Sequence, residues 1–267
     1  MDAFINWFTE SLPRHIGPSL ELELVRYAAG TLGVFFVVWV LLSPWLKSRK
    51  IRPPTPRGRQ IAMELLNSFK SICVYIALDI VVFDIAEIGV FQKYNDVAQY
   101  GWLWFWASIP VAIILHDAYF YWMHRAMHHP KLYKIFHLAH HRSHNPTPFT
   151  AYSFAAPEAA VQYAFVPLLL LVMPIHSVAL LIVLAIMILK NAVGHCGYEL
   201  FPRGFAEHPV WGQFTTVTHH DMHHERARGN YGFYFTWWDR WMGTEQADYQ
   251  TRFARVTQPE TQHGGSR

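Results

Sequence analysis

Val34-Phe35-Phe36-Val37-Val38-Trp39-Val40-Leu41-Leu42 is the centre of an apolar run, 24–46, that meets no charge between Arg26 and Lys47. A helix of that length pairs its own backbone groups and reaches across the hydrocarbon of a bilayer. Four more apolar runs follow, at 72–91, 101–115, 159–173 and 177–189. The first of these carries Asp79, Asp84 and Glu87, which must face a bundle interior or water, because charge in lipid is expensive. The last two are joined by Met173-Pro174-Ile175-His176, a turn with a helix-breaking proline. With 52% hydrophobic and only 15% charged residues, disorder is excluded. The expected fold class is all-α, an integral membrane helical bundle; a soluble protein with buried helices is the alternative.

Loop charges set the expected topology. Lys47, Arg49, Lys50, Arg52, Arg57 and Arg59 crowd one connection, so the positive-inside rule puts 47–59 in the cytoplasm. Alternation then gives five spans with the N-terminus outside. It also places 116–150 and everything from His195 onward on one side, as a cytoplasmic helical cap of a bacterial inner-membrane or endoplasmic-reticulum protein. Three regions are expected: membrane spans with the basic cytoplasmic loop at 1–115, a region with a transmembrane hairpin at 116–250, and a C-terminal tail at 251–267. Residues 1–7 carry an acid where a signal segment would be basic, and no internal repeat is present. A net charge of +3 is too mild to argue for nucleic acid. Cys73 and Cys196 have neither metal-ligand spacing nor a disulfide framework.

Histidine is the outlying residue, with 17 copies against 19 acids. His124 and His128 stand at i and i+4. His137, His140 and His141 stand at i, i+3 and i+4, and His220, His223 and His224 repeat that pattern behind His219. On a helix these spacings put imidazoles on one face. His195 stands alone at the end of the last apolar run, and lone histidines such as His15, His176 and His263 read as surface or loop residues. One HxxHH is weak; two copies and an HxxxH on one side of a membrane are hard to explain as solvated faces. Gathered imidazoles repel if protonated, and if neutral their lone pairs need partners. A metal supplies them. The ligand count exceeds one four-coordinate sphere, so two metals are implied, and an all-nitrogen site suits iron, copper or zinc. No HExxH is present. Two irons that activate O2 fit the count and the apolar surroundings.

These residues resemble the fatty acid hydroxylase and sterol desaturase superfamily of membrane di-iron enzymes. The resemblance covers residues 116–244. It rests on His116-Asp117 with Phe120-Tyr121-Trp122-Met123-His124-Arg125, Leu132-Tyr133, and Pro146-Thr147-Pro148-Phe149. It continues through Gly194-His195-Cys196-Gly197-Tyr198-Glu199, Asn230-Tyr231-Gly232 and Trp238-Asp239-Arg240-Trp241-Met242-Gly243-Thr244. The short gap from His128 to His137 separates it from acyl-CoA desaturases, and the motif style is closest to the C5 sterol desaturase branch. Departures occur at Ser143-His144, often a bulky aromatic there, and at Phe154-Ala155-Ala156-Pro157-Glu158, which lacks a histidine before the proline.

With the ligand geometry, the resemblance implies an O2-dependent oxidoreductase that hydroxylates or desaturates an unactivated C–H bond of a membrane lipid, sterol-like or acyl. The implied ligands of the two irons, which zinc can replace on purification, are His124, His128, His137, His140, His141, His195, His220, His223 and His224, with His219 as a tenth. Asp117, Glu199 and Asp221 are expected to accept from imidazole N–H groups. Trp237, Trp238 and Trp241 read equally as interfacial anchors or as core. No dinucleotide fingerprint, haem or iron–sulfur module is recognisable, so electrons must come from a separate ferredoxin or cytochrome b5-like protein with its reductase. Arg125, Lys131, Lys134 and Arg142 could dock it, or simply lie near anionic lipid. Two readings of another class stand beside this one. A metal-binding or transport protein would need polar residues leading through the spans, where only Asp79, Asp84 and Glu87 qualify. A non-catalytic scaffold would be expected to lose ligands, and none of the box histidines is missing.

Overall fold

A computed structural model describes residues 7–53 and 55–258. The stretch read for a signal segment, apart from Trp7, and the tail beyond Gln258 with His263 lie outside them. The described chain is helical almost throughout. Helix α1 (Thr9–Leu41) is one continuous rod with an apolar stretch long enough to span, and it loosens to π-type hydrogen bonding at Tyr27–Leu32 and Phe35–Leu41. After the basic connection come α2 (Gly58–Glu87) and α3 (Gly101–Met127). The short helices α4 (Pro130–Phe136) and α5 (Leu138–His141) follow, then a hairpin of α6 (Ala156–Val172) and α7 (Ser177–Gly194). Helices α8 (Val217–Arg226), α9 (Trp237–Trp241) and α10 (Tyr249–Val256) complete the order. Two short strands, β1 (Lys93–Tyr94) and β2 (Ile175–His176), pair in parallel and tie the α2–α3 connection to the hairpin turn, at the end opposite His124.

Among the described residues, three helices are long and apolar enough to cross a membrane: α1, α3 and α7. The other two of the five expected spans fall to α2 and to the first limb of the hairpin, α6. The first limb of the hairpin is apolar but only 17 residues long. Helix α2 is long but turns Glu64, Ser68, Ser71 and Asp79 inward while Leu66, Phe69 and Val81 stay exposed. A helix with lipid outside and polar partners inside is expected to be patterned that way. Asp84 and Glu87 meet Ser11, Arg14 and His15 at the far end of α2, so they form no polar path toward the histidines.

The core sits between α3, α6 and α7, where Phe105, Ile109, Phe165, Leu169, Val183 and Leu184 are buried together. Helix α1 closes on α7 at Gly30, where an added Cβ would lie 2.3 Å from Ile188 Cγ1. Only glycine permits that approach. The first 115 residues do not stand apart: Arg52 and Glu64 bond to the loops around the second histidine box. Tyr249 and Phe253 of α10 are buried beneath α8 with Met222.

Candidate metal centre

Each histidine is placed by a short, capped element. Helix α3 presents His124 in its last turn, and His128 caps its end. His129 accepts from the Lys131 N–H and starts α4 at Pro130, where the missing proline N–H costs nothing. His137 leaves helical geometry and starts α5. His195 ends α7, its N–H bonded to Asn191 O. Thr216 caps α8 by accepting from His219 N–H, and Ala227 ends that helix in the left-handed region.

These elements bring nine imidazoles into two adjoining groups. His124, His128, His137, His141 and His223 form one; His140, His195, His220 and His224 form the other, with ligating atoms within 4.8 Å of one another in each. The two HxxHH boxes divide in opposite ways. In the second box the i and i+4 residues enter the five-histidine group and i+3 the other; in the third box i and i+4 enter the four-histidine group and i+3 the five. Residues i and i+4 lie nearly in line on a helix, whereas i+3 leans to the other side, so one short helix serves both groups. The groups touch at His141 and His224, ring centroids 4.8 Å apart.

The outward nitrogens show what the inward ones hold. Nδ1 of His124, His195, His223 and His224 lies 2.9, 2.7, 2.7 and 3.1 Å from the carbonyls of Tyr231, Asn191, Gly229 and Ser143. His140 Nδ1 faces Ser153 O at 3.3 Å, and His137 Nδ1 lies 2.6 Å from Glu158 Oε1. A carbonyl or carboxylate oxygen can only accept, so each Nδ1 carries the proton and each Nε2 a lone pair. The Nε2 atoms of both groups converge. His128 Nε2 lies 3.2 Å from Nε2 of both His223 and His141; His195 Nε2 lies 2.8 Å from that of His220 and 3.1 Å from that of His224. The Nε2 atoms of His124 and His137 are buried without any hydrogen-bond partner. Burial pushes His195 down to about 4 and His128 to about 2, and holds His137, His140, His141, His220, His223 and His224 well below the usual histidine value. Neutral, preoriented imidazoles with facing lone pairs fit two borderline divalent metal ions.

The four remaining expected residues lie elsewhere. His219 is in neither group: on the far side of α8 it packs on Tyr249, with Nε2 3.7 Å from Asp239. Asp117 accepts from the Tyr234 and Phe235 N–H groups and pins that loop to α3. Glu199 accepts from Phe201 N–H and from Thr218 N–H at the start of α8, and burial raises its carboxyl. Asp221 takes Arg52 Nε at 2.6 Å, and burial raises it to about 6 against the pull of that guanidinium. In place of these three, main-chain carbonyls and Glu158 orient the rings. Glu158 is the carboxylate against His137 that spacing did not reveal; its one signal was an acid opening an otherwise apolar helix, where charge is costly without a partner.

An apolar chamber of about 260 Å³ lies among α1, α2, α3, α6 and α7. Asn191 and Phe233 line both its inner end and a small void beside His195 and His220, so the chamber points at the four-histidine group.

The profile of the fatty acid hydroxylase family matches residues 109–244, which carry every one of these histidines. The chain belongs to that family. Among curated proteins, this fatty acid hydroxylase family member is 27% identical over 243 residues to a Delta(7)-sterol 5(6)-desaturase of Gibberella zeae, covering 90% of this chain and 73% of the relative. It is 29% identical to the lathosterol oxidase of Rattus norvegicus, covering 83% and 71%. With a Delta(7)-sterol 5(6)-desaturase of Aspergillus fumigatus the identity is 31%, over 70% and 63%. No solved structure matches.

Proposed function

We propose that this chain is an O2-dependent di-iron oxidoreductase that hydroxylates or desaturates an unactivated C–H bond of a membrane lipid. One observation carries the reading: two adjoining groups of neutral imidazoles, the four-histidine one separated from an apolar chamber among the long helices only by a small void that shares Asn191 and Phe233 with it. The names of the relatives, sterol desaturases and lathosterol oxidases, support a sterol-like substrate.

His124, His128, His137, His141 and His223 would hold one metal, and His140, His195, His220 and His224 the other; zinc can replace iron on purification. A bound iron pair supplies O2 activation and hydrogen abstraction, which no side chain here can perform. The protein does the rest. Glu158 and the five carbonyls keep Nδ1 of His137, His124, His140, His195, His223 and His224 protonated, so that Nε2 of these six stays a ligand. The chamber strips water from the lipid and aims its apolar body at the inner end, where Phe233 and Asn191 set the depth of entry. Electrons come from a separate carrier, a ferredoxin or a cytochrome b5-like protein with its reductase. Arg125, Lys131, Lys134 and Arg142 are exposed and offer it a basic face. The centre lies on the cytoplasmic side, with the basic 47–59 connection.

The test pairs elemental analysis of the purified protein with lipid mass spectrometry of cells with and without it. About two metals per chain are expected, because nine nitrogens exceed one coordination sphere, together with a lipid changed by one oxygen or by loss of two hydrogens. Folded protein with one metal or none would overturn the di-metal centre. Two metals with no lipid change would favour metal storage or transport.

A further inference from the structure

An unbroken line of aromatic rings leads from the protein surface to the five-histidine group. Trp241 is exposed, and its ring centroid lies 5.4 Å from that of Trp238. Trp238 stacks on buried Tyr121 at 5.7 Å, with an interplanar angle of 20°. Tyr121 lies 6.2 Å from Tyr231, and Tyr231 lies 5.5 Å from His124, 5.1 Å from His128 and 5.6 Å from His223. These separations are ordinary for packed rings, and packing alone would account for them. The hydrogen bonds at Tyr121 ask for more. Arg125 Nη1 donates to the Tyr121 oxygen at 3.1 Å. The Tyr121 hydroxyl lies 3.0 Å from Thr244 Oγ1, and Thr244 Oγ1 donates to Asp239 Oδ1 at 2.7 Å. Since the threonine proton points at the carboxylate, Tyr121 donates to threonine. A phenol inside the molecule thus has a two-step proton path to a buried carboxylate.

We propose that Tyr121 is a redox-active tyrosine in a one-electron relay, Trp241–Trp238–Tyr121–Tyr231, that feeds the metal pair from the surface. The acceptor, an oxidised metal pair, rests on the reading given above. One electron tunnels from the Tyr121 ring to that pair through the intervening ring of Tyr231, which bridges the gap without itself being oxidised. The phenol O–H bond breaks, its proton passes to Thr244 Oγ1, and the threonine proton passes to Asp239 Oδ1. Trp238 and Trp241 then return one electron from a one-electron reductant at the exposed rim, and the two protons run back. Without Thr244 and Asp239 the phenol would have to lose its electron while keeping its proton, which is far harder in a low-dielectric interior. Tunnelling falls steeply with distance, so rings in near contact carry charge that a single long step would not. The relay would also drain an oxidised centre that has met no lipid, before it attacks its own ligands.

The test reads radicals rather than turnover. Full-length protein loaded with redox-inert zinc is photo-oxidised from solution by a ruthenium complex and followed by transient absorption and electron paramagnetic resonance. A tryptophanyl radical is expected to give way to a tyrosyl radical, assigned by ring-deuterated tyrosine. Tyr121→Phe and Trp238→Phe keep the ring packing, and each should cut the tyrosyl yield about tenfold, a barrier change of about 1.4 kcal/mol. Thr244→Val, which removes only the proton path, should do the same. Tyr133→Phe, whose ring also touches His128 but leads to no exposed tryptophan, should leave the yield unchanged. An unchanged yield in Tyr121→Phe and Trp238→Phe overturns the relay. The two readings separate cleanly: iron-loaded protein that oxidises lipid while these variants keep the radical loses the relay alone. Radical transfer in protein that oxidises no lipid loses the oxygenase alone.

Discussion

At the scale of the residue, the centre depends on which nitrogen of each ring carries the proton. Glu158 is the one side chain that fixes a tautomer among the nine; the other orienting contacts named above are main-chain carbonyls. Replacing it with alanine leaves His137 Nδ1 buried without an acceptor. Loss of such an orienting partner costs about 10–100-fold in metal affinity, so Glu158→Ala should release metal to a chelator at correspondingly lower concentration, read by competition titration. Acid should act through the same rings. His195, with its ordinary value of 6.5 brought down to about 4, binds fewer protons folded than unfolded between those limits. Stability therefore falls as pH drops below 6.5 and goes on falling toward 4. At pH 5 this one group removes about 2 kcal/mol from the metal-free protein, and its depressed neighbours add to the loss. Thermal melts of metal-free protein at pH 7.5 and pH 5 check it; equal midpoints would show that the rings are not buried in solution.

At the scale of the element, α5 and α8 are too short to be stable alone, and both are held from outside. Arg52 is the clearest case. Its guanidinium bonds the Asp221 carboxylate, the Asp221 carbonyl and the His144 carbonyl, so the basic connection that reads as a topology signal also fastens α8 to the second box. Arg52→Ala should cost about 1–3 kcal/mol by leaving those acceptors unpaired and should loosen metal at the four-histidine group. Arg57→Ala, on the same connection with an exposed side chain, should do neither. Equal melting temperatures and metal contents for the two variants would reduce the clasp to a surface contact.

At the scale of the whole molecule, the two clusters meet only if the α6–α7 hairpin returns the chain to the side it left. Cysteines introduced at Arg142 and Arg226 should react together with a membrane-impermeant reagent, from the same side as one at Arg57. A cysteine at Lys93, beside the strand pair at the opposite end, should react from the other side. Labelling of positions 142 and 226 from opposite sides would break the architecture. Lys93 reacting from the same side as Arg57 would turn α2 and α3 into a re-entrant pair.

The class of fold and the chemistry of the centre were legible because both rest on local patterns. Runs such as 24–46 and 177–189 announce helices in lipid by length alone, and i, i+3, i+4 spacing puts His137, His140 and His141 along one side of a helix without knowledge of any neighbour. Eight of the nine histidines come from such boxes; His195 needed the topology and the family resemblance. What spacing could not assign was direction at a distance. His219 sits one residue before His220, yet that single step turns it away from the two histidine groups toward Asp239, and only the packing of α10 beneath α8 shows it. Asp117, Glu199 and Asp221 have the right chemistry to orient imidazoles, but backbone N–H groups and Arg52 reach them first. Glu158 takes His137 because the hairpin brings the start of α6 against the second box. The sequence by itself determined which groups could bind metal and that helices in a membrane would carry them. The tertiary structure alone decided the partition into five and four, the partners of the outward nitrogens of His124, His137 and His224 and the end of the chamber nearest the four-histidine group, because each depends on where distant segments pack rather than on what stands beside them in the chain.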